Sequence, residues 1–159
     1  MRIGLISDTH GLLRPEVFDA FEGVDRILHA GDIGPADLLV ELEALAPLTA
    51  VSGNTDRYDV ASTLPETAEL DLLGRRLVLV HGHRLGSPTP AALRTTHPQA
   101  DIVVFGHTHR ALIDRSASPL VVNPGSAGAT RFGLPASVAM LTLDRTGSPP
   151  EIAIVPLTQ

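Results

Sequence analysis

The chain has 159 residues, 18 acidic against 12 basic side chains for a formal net charge of -6, and no cysteine. Every basic side chain is arginine, and none of them forms a basic run or a basic stripe interleaved with aromatics, which excludes the footprint of a duplex nucleic-acid binder. The lack of cysteine excludes disulfides and thiolate metal sites, so any metal must sit on histidine, carboxylate and amide ligands.

A domain of roughly 150 residues buries about 70% of the surface of its unfolded chain, which is core enough for an independent enzyme; one domain over 1–159 is expected. The opening MRIGLISDTHGLL has neither the long apolar region nor the cleavage site of a signal peptide. No apolar run approaches the ~18 residues of a membrane span. The expectation is a soluble, cytoplasmic protein that meets no membrane.

Residues 2–7, RIGLIS, read as a buried strand, and residues 15–22 as a short helix begun by Pro15. The run DRILHAGD carries a second strand that exits at Gly31 and Asp32. Residues 36–46 place Leu38, Leu39, Leu42 and Leu45 at helical spacing, an amphipathic helix with an ordinary core stripe. LTAVSGN is a third strand that runs into a Gly-Asn turn. Strand and helix alternate through this half, which argues a parallel sheet of βαβ units. In the second half, AELDLLGRRLVLVHG reads as two strands joined at Gly74, PAALRTTH as a helix and DIVVFGH as another buried strand. RALIDR, LVVNPG, ASVAMLTLDRTGS and EIAIVPL follow as strands separated by turns.

The polar residues fall at the strand exits. Asp8 and His10 follow the first strand, Asp32 the second, Asn54 the third, His81 the strand after Gly74, and His107 and His109 the strand of Val103 and Val104. Ligands bind outside the carboxyl ends of strands in open α/β sheets, so five exits converge on one place. Taken singly, each aspartate reads as a turn or helix cap and the GNTD stretch as a turn; taken as a set, they read as ligands. In extended chain the i, i+2 pairs DTH and HTH each present both side chains to one side. Carboxylate and imidazole without thiolate suit manganese, iron, nickel or zinc.

The ordered series Asp8-Thr9-His10, Gly31-Asp32, Gly53-Asn54-Thr55-Asp56, His81-Gly82-His83 and Gly106-His107-Thr108-His109 resembles the calcineurin-like metallophosphoesterase superfamily, in its small YfcE-like phosphodiesterase branch. The resemblance implies an α/β fold, a four-layer αββα sandwich of two mixed β-sheets flanked by helices. It implies two divalent metal ions, manganese first, with nickel, iron or zinc as alternatives. One ion would be held by Asp8, His10, Asp32 and His109 and the other by Asp32, Asn54, His81 and His107, with Asp32 as the bridge. Two such ions, two carboxylates and a bridging hydroxide leave about one net positive charge, which favours a phosphate anion despite the acidic chain. The implied reaction is hydrolysis of a small phosphodiester by in-line attack of the metal-bridging hydroxide. Phosphomonoester hydrolysis at the same centre is the nearest alternative. A non-catalytic protein-interaction scaffold, as one eukaryotic relative is chiefly regarded, is the rival of another class.

Thr55 stands where larger members of the superfamily carry a histidine after the asparagine, which leaves the leaving-group donor unassigned. His83, two residues from His81 and without a metal role, is one candidate substitute, with water or another side chain as equal alternatives; Asn54 is also placed to touch substrate phosphate. His29 and His97 read as structural or solvated. Arg57 and Arg84 read as exposed residues beside the motifs. The glycine-rich stretch 123–133 lacks the Gly-Lys-Ser/Thr ending of a P-loop and reads as a connecting loop near the site or at an interface. Specificity is expected from residues 84–90 and 123–135, and a homodimer is compatible with the family likeness and with base rate.

Overall fold

Two five-stranded sheets pack face to face in the computed structural model, which describes residues 1–130 and 133–158. The first half runs β1 (Arg2–Ile6), α1 (Pro15–Ala20), β2 (Arg26–His29), α2 (Asp37–Glu43), β3 (Leu48–Ala50) and α3 (Tyr58–Ala61). The second runs β4 (Thr67–Leu72), β5 (Arg75–Val80), a 3₁₀ turn (His83–Leu85), α4 (Pro90–Thr96), β6 (Ile102–Phe105), β7 (Leu112–Asp114), β8 (Leu120–Asn123), β9 (Ser137–Thr142) and β10 (Glu151–Pro156). One sheet has the order β10-β9-β1-β2-β3 and the other β4-β5-β6-β8-β7. In the first, the parallel run β1-β2-β3 ends at the edge strand β3 and is joined on its β1 side by antiparallel β9; in the second, the parallel run β5-β6-β8 is flanked by antiparallel β4 and β7.

Burial follows from this arrangement. Parallel strands covered on both faces read as continuous apolar runs, and IVVF of β6 is buried throughout. The edge strands β4 and β10 alternate between exposed and half-buried positions, as expected of strands with one solvated face. Ile3, Leu5 and Leu28 meet Leu77, Leu79, Ile102 and Val104 between the sheets. Val17, Leu38, Leu42 and Val60 of the first three helices, with Phe21 at the end of α1, cover the outer face of the first sheet. Leu93 of α4 packs on Val78, Val103 and Val121 on the outer face of the second. The four layers are therefore helix, sheet, sheet, helix.

Register decides where the chain exits. Ile6 is level with His29, His29 with Ala50, and Val80 with Phe105. Whatever follows β1, β2, β3, β5 and β6 emerges on one rim. Two helical pieces, α3 and the 3₁₀ turn, were not expected from sequence, because elements of four and three residues are too short to show a periodicity. The expected 36–46 helix is confined to Asp37–Glu43, with Leu39 and Leu45 packed on the core beside buried Leu38 and Leu42.

Candidate metal centre

Five of the six non-glycine residues with positive φ among the described residues are Asp8 (55°), His10 (47°), Asp32 (55°), His107 (68°) and His109 (58°). The sixth, Leu73, sits in the β4–β5 turn. Left-handed backbone is uncommon outside glycine, and it persists only where the surroundings impose it. Here it turns the chain sharply just past β1, β2 and β6, at the residues singled out by their chemistry.

Two groups of donor atoms result, Asp8 with His10 and His109, and Asp8 with Asp32 and His81, each with its ligand atoms within 4.8 Å of one another. His109 Nε2 lies 3.2 Å from Asp8 Oδ1 and 3.3 Å from His10 Nε2. Asp32 Oδ2 lies 3.3 Å from His81 Nε2 and 3.8 Å from His10 Nε2, between the two groups. Asn54, on the exposed side, brings Oδ1 to 3.1 Å from His81 Nε2. The His107 ring packs edge-on against His81 with centroids 5.1 Å apart, and its backbone N–H donates to Asp8 Oδ2 at 3.1 Å. Asp8, rather than Asp32, is the member common to both close-set groups, although Asp32 reaches a histidine of each. His83, half-buried, stands beside this set, 5.4 Å from the His81 ring and 6.4 Å from the His107 ring by centroids.

The donors fit cations. Asp8 Oδ2 accepts from the Ser7 hydroxyl at 2.6 Å and the His107 amide, whereas buried Oδ1 makes no hydrogen bond and faces His109. His81 donates Nδ1–H to the Ala30 carbonyl at 2.7 Å. That bond fixes the tautomer and leaves the Nε2 lone pair of the neutral ring facing two oxygens, Asp32 Oδ2 and Asn54 Oδ1. Acceptors facing acceptors need a positive charge between them. Burial alone would lower the His81 pKa, but the hydrogen bond to Asp32 and the charges of Asp8 and Asp32 outweigh it and raise the value. Burial likewise works against the Asp32 carboxylate, and His81 together with the Thr55 N–H holds it well below the usual carboxylate range. A metal ion meets the same demand as that proton.

A network of other side chains fixes the ligand turns. The Asp56 carboxylate accepts four backbone N–H groups, from Asp32 at 3.1 Å, Ile33 at 2.7 Å, Gly34 at 3.1 Å and Gly53 at 2.8 Å. It ties the β2 exit to the β3 exit, which approach so closely that a Cβ on Gly53 would overlap the Asp32 backbone and carboxylate. Asn123 Nδ2 donates to the Gly106 carbonyl at 2.9 Å and to Thr108 Oγ1 at 3.1 Å, bracing the GHTH turn. Ser126 Oγ donates to the Asp8 carbonyl at 2.9 Å, so the glycine-rich stretch does serve as a connecting loop against the site. Arg131 and Phe132 of that stretch lie outside the described residues.

His29 is fully buried behind the centre. The Gly31 N–H donates to its Nδ1 at 3.2 Å, which leaves Nε2–H for Thr9 Oγ1 at 2.9 Å, and that hydroxyl donates to the Ile33 carbonyl at 2.8 Å. Burial, partly opposed by Asp8, pulls its pKa down to about 3. Unfolded His29 takes up a proton below about pH 6.5, while the folded chain resists until about pH 3. The unfolded state binds more protons in that window, so the contribution is complete above about pH 6.5 and falls by about 1.4 kcal/mol per unit as the pH drops through it. Denaturant titrations of the protein and of His29→Gln between about pH 7 and pH 5 should show a shallower decline in the variant. Equal declines would mean that His29 charges in the folded state.

All seven expected ligands and His83 thus lie at one rim, in the positions given above. Sequence reasoning gave no role to Asp56 or Asn123, whose partners are mostly backbone amides and carbonyls. The available signal was an aspartate two residues after the Gly-Asn turn, a residue type that readily gathers N–H groups. Arg84, read as exposed, pairs with Glu66 at 2.5 Å.

A family model described as the calcineurin-like phosphoesterase superfamily domain matches residues 1–146. A probable metallophosphoesterase of Methanothermobacter thermautotrophicus is 39% identical over 94% of this chain and 95% of its own length. Phosphodiesterase YfcE of Escherichia coli K12 is 33% identical over 91% of this chain and 89% of its own. Among solved structures, Vps29 of Entamoeba histolytica complexed with zinc matches 99% of this chain and 100% of its own with a TM-score of 0.81; at 20% identity this is a likeness of fold.

Proposed function

Since the chain belongs to the calcineurin-like phosphoesterase superfamily, we propose that it hydrolyses small phosphodiesters at a centre of two divalent metal ions, manganese first, with nickel, iron or zinc as alternatives. Asp8, His10, Asp32 and His109 would hold one ion, and Asp32, Asn54, His81 and His107 the other. When bound, the ions supply an activated water at neutral pH and positive charge against the phosphoryl oxygens. The observation that carries the reading is the set of donor atoms turned on one another, above all His81 Nε2 against Asp32 Oδ2 and Asn54 Oδ1 while its Nδ1–H is committed to the Ala30 carbonyl.

The side chains divide the remaining work. Asp32, between His10 and His81, would be the carboxylate shared by the two ions. Asn54, exposed beside His81, can touch a phosphate oxygen with its amide. His83 is the group offered to the leaving oxygen. Burial lowers its pKa, with His81 and Arg84 adding to the effect, so at neutral pH the ring is neutral. Its buried Nδ1 has no hydrogen-bond partner among the described residues, which suits a bare lone pair there and an N–H on Nε2. His83 therefore serves as a hydrogen-bond donor to the leaving group and does not deliver a proton as an imidazolium.

One assay series tests this. The protein is stripped of metal and assayed on a phosphodiester and a phosphomonoester with manganese, nickel, zinc or magnesium restored, alongside His83→Ala. Metal-dependent turnover that favours the diester is expected. The variant should lose about 10-fold or more on a poor leaving group and little on p-nitrophenolate. A monoester preference would move the activity to phosphomonoesterase. No bound metal and no turnover under any condition would leave the scaffold reading.

A further inference from the structure

On the His107 flank of the centre lies a concavity lined by Ser87, His107, Thr108 and Arg110. Arg110 immediately follows the last candidate ligand, is exposed, and its guanidinium makes no hydrogen bond or ion pair among the described residues. Two other arginines near the rim are occupied, Arg84 by Glu66 and Arg14 by the Gly128 carbonyl at 3.0 Å, and Arg57 lies on the opposite flank beside His10. A guanidinium left unpaired in a chain with 18 acidic residues is a fork of donors without an acceptor, matched in geometry to a carboxylate or phosphate.

The neighbouring hydroxyls point to the same chemistry. Thr108 Oγ1 accepts from Asn123 Nδ2 at 3.1 Å and, more weakly, from the Arg110 backbone N–H at 3.4 Å. A hydroxyl has two acceptor positions and one proton, so the Thr108 proton is left to donate. Ser87 contributes a second hydroxyl, and no carboxylate lines the concavity. The opposite flank differs in sign. There Arg57 shares its hollow with Asp59 as well as His10 and Thr55, so the charges offset.

We propose that the concavity formed by Ser87, Thr108 and Arg110 is a subsite for an oxyanion, a carboxylate or phosphate carried on one ester arm of the substrate. The inference rests on the phosphodiesterase reading and sharpens it. The substrate class becomes phosphodiesters with a second acidic group, and Arg110 becomes the residue that selects them. The wall shared with His107 sets this subsite beside the candidate centre, so both groups of one small molecule are engaged together.

Two measurements test it. p-Nitrophenyl phosphodiesters whose other arm is methyl, carboxymethyl or phosphoethyl are compared on the protein and on Arg110→Gln and Arg110→Lys. The protein should show a KM about 10-fold lower for the two anionic arms than for methyl, as a charge-assisted pair is worth about one decade. Arg110→Gln should erase that difference with the methyl substrate unchanged, and Arg110→Lys should restore part of it. Independently of turnover, metal-stripped protein is titrated with inorganic phosphate while the arginine Nε–H signals are followed by NMR, Arg110 being assigned by its loss in Arg110→Gln. A saturable shift of that signal is expected. No shift, together with equal KM for all three arms, overturns the subsite. A shift without turnover of any diester overturns the phosphodiesterase reading and leaves the anion site standing.

Discussion

Replacing Asp32 by asparagine should cost on the order of 10³-fold in kcat/KM on a phosphodiester and should not lower the melting temperature of the metal-free protein. The wild-type carboxylate takes the Thr55 N–H on Oδ1 at 2.9 Å and turns Oδ2 toward His81 and His10. An amide of the same shape keeps the first bond and places an NH₂ where Oδ2 stood. That NH₂ donates to the His81 Nε2 lone pair, so the conflict between acceptors is resolved without a cation. Charge stabilisation by metal is worth several kcal/mol, and about 1.4 kcal/mol is a decade of rate. Metal content, kcat/KM and thermal melts of the stripped protein check the three parts. Full activity with full metal content would remove the bridging role.

Asp56→Ala should act by another route, losing about 2–4 kcal/mol of stability and about 10–100-fold in metal affinity without removing a ligand. Four backbone N–H groups lose their acceptor at once. Hydrogen bonds to a charged group contribute about 1.5–3 kcal/mol each. The carboxylate is only half-buried, so water recovers part of the loss and the sum is well below four full bonds. The affinity loss follows from freeing the Asp32 and Asn54 turns, an effect typical of groups that orient metal ligands. Saturating metal should restore most of the turnover in Asp56→Ala and little in Asp32→Asn. Asp56→Asn, with one acceptor oxygen left, should fall between the protein and Asp56→Ala in denaturant midpoint. A normal metal affinity in Asp56→Ala would mean that the turns hold themselves.

The parts of this molecule legible in sequence are those with a one-dimensional signature. Buried parallel strands are apolar runs that stop abruptly, so Asp8, Asp32, His81 and His107 could be located as the first polar residues beyond them. Their spatial convergence followed from a general property of strand ends, and register made it concrete by levelling Ile6, His29 and Ala50. The task of Asp56 has no sequence signature, because the backbone amides it gathers look alike in every sequence. His29 could be called structural, yet its complete burial and the relay through Thr9 depend on a packing of β1 against β2 that no local pattern contains. The unpaired state of Arg110 is a statement about every acid that is not near it, and only coordinates can make it.

The left-handed turns at Asp8, His10, Asp32, His107 and His109 also bear on how long the protein survives in a cell. Backbone held in this region by non-glycine residues costs of order 1–3 kcal/mol apiece, and the folded chain carries that load whether or not ions are present. Ions that bind only the folded chain pull the equilibrium back by mass action. With the proposed ions scarce, the unfolded fraction would rise, and a shift of about 1–2 kcal/mol is enough to change cellular abundance several-fold through proteolysis. If the proposed ions bind, the same turns that hold the candidate ligands in place would couple the lifetime of the chain to the metal supply.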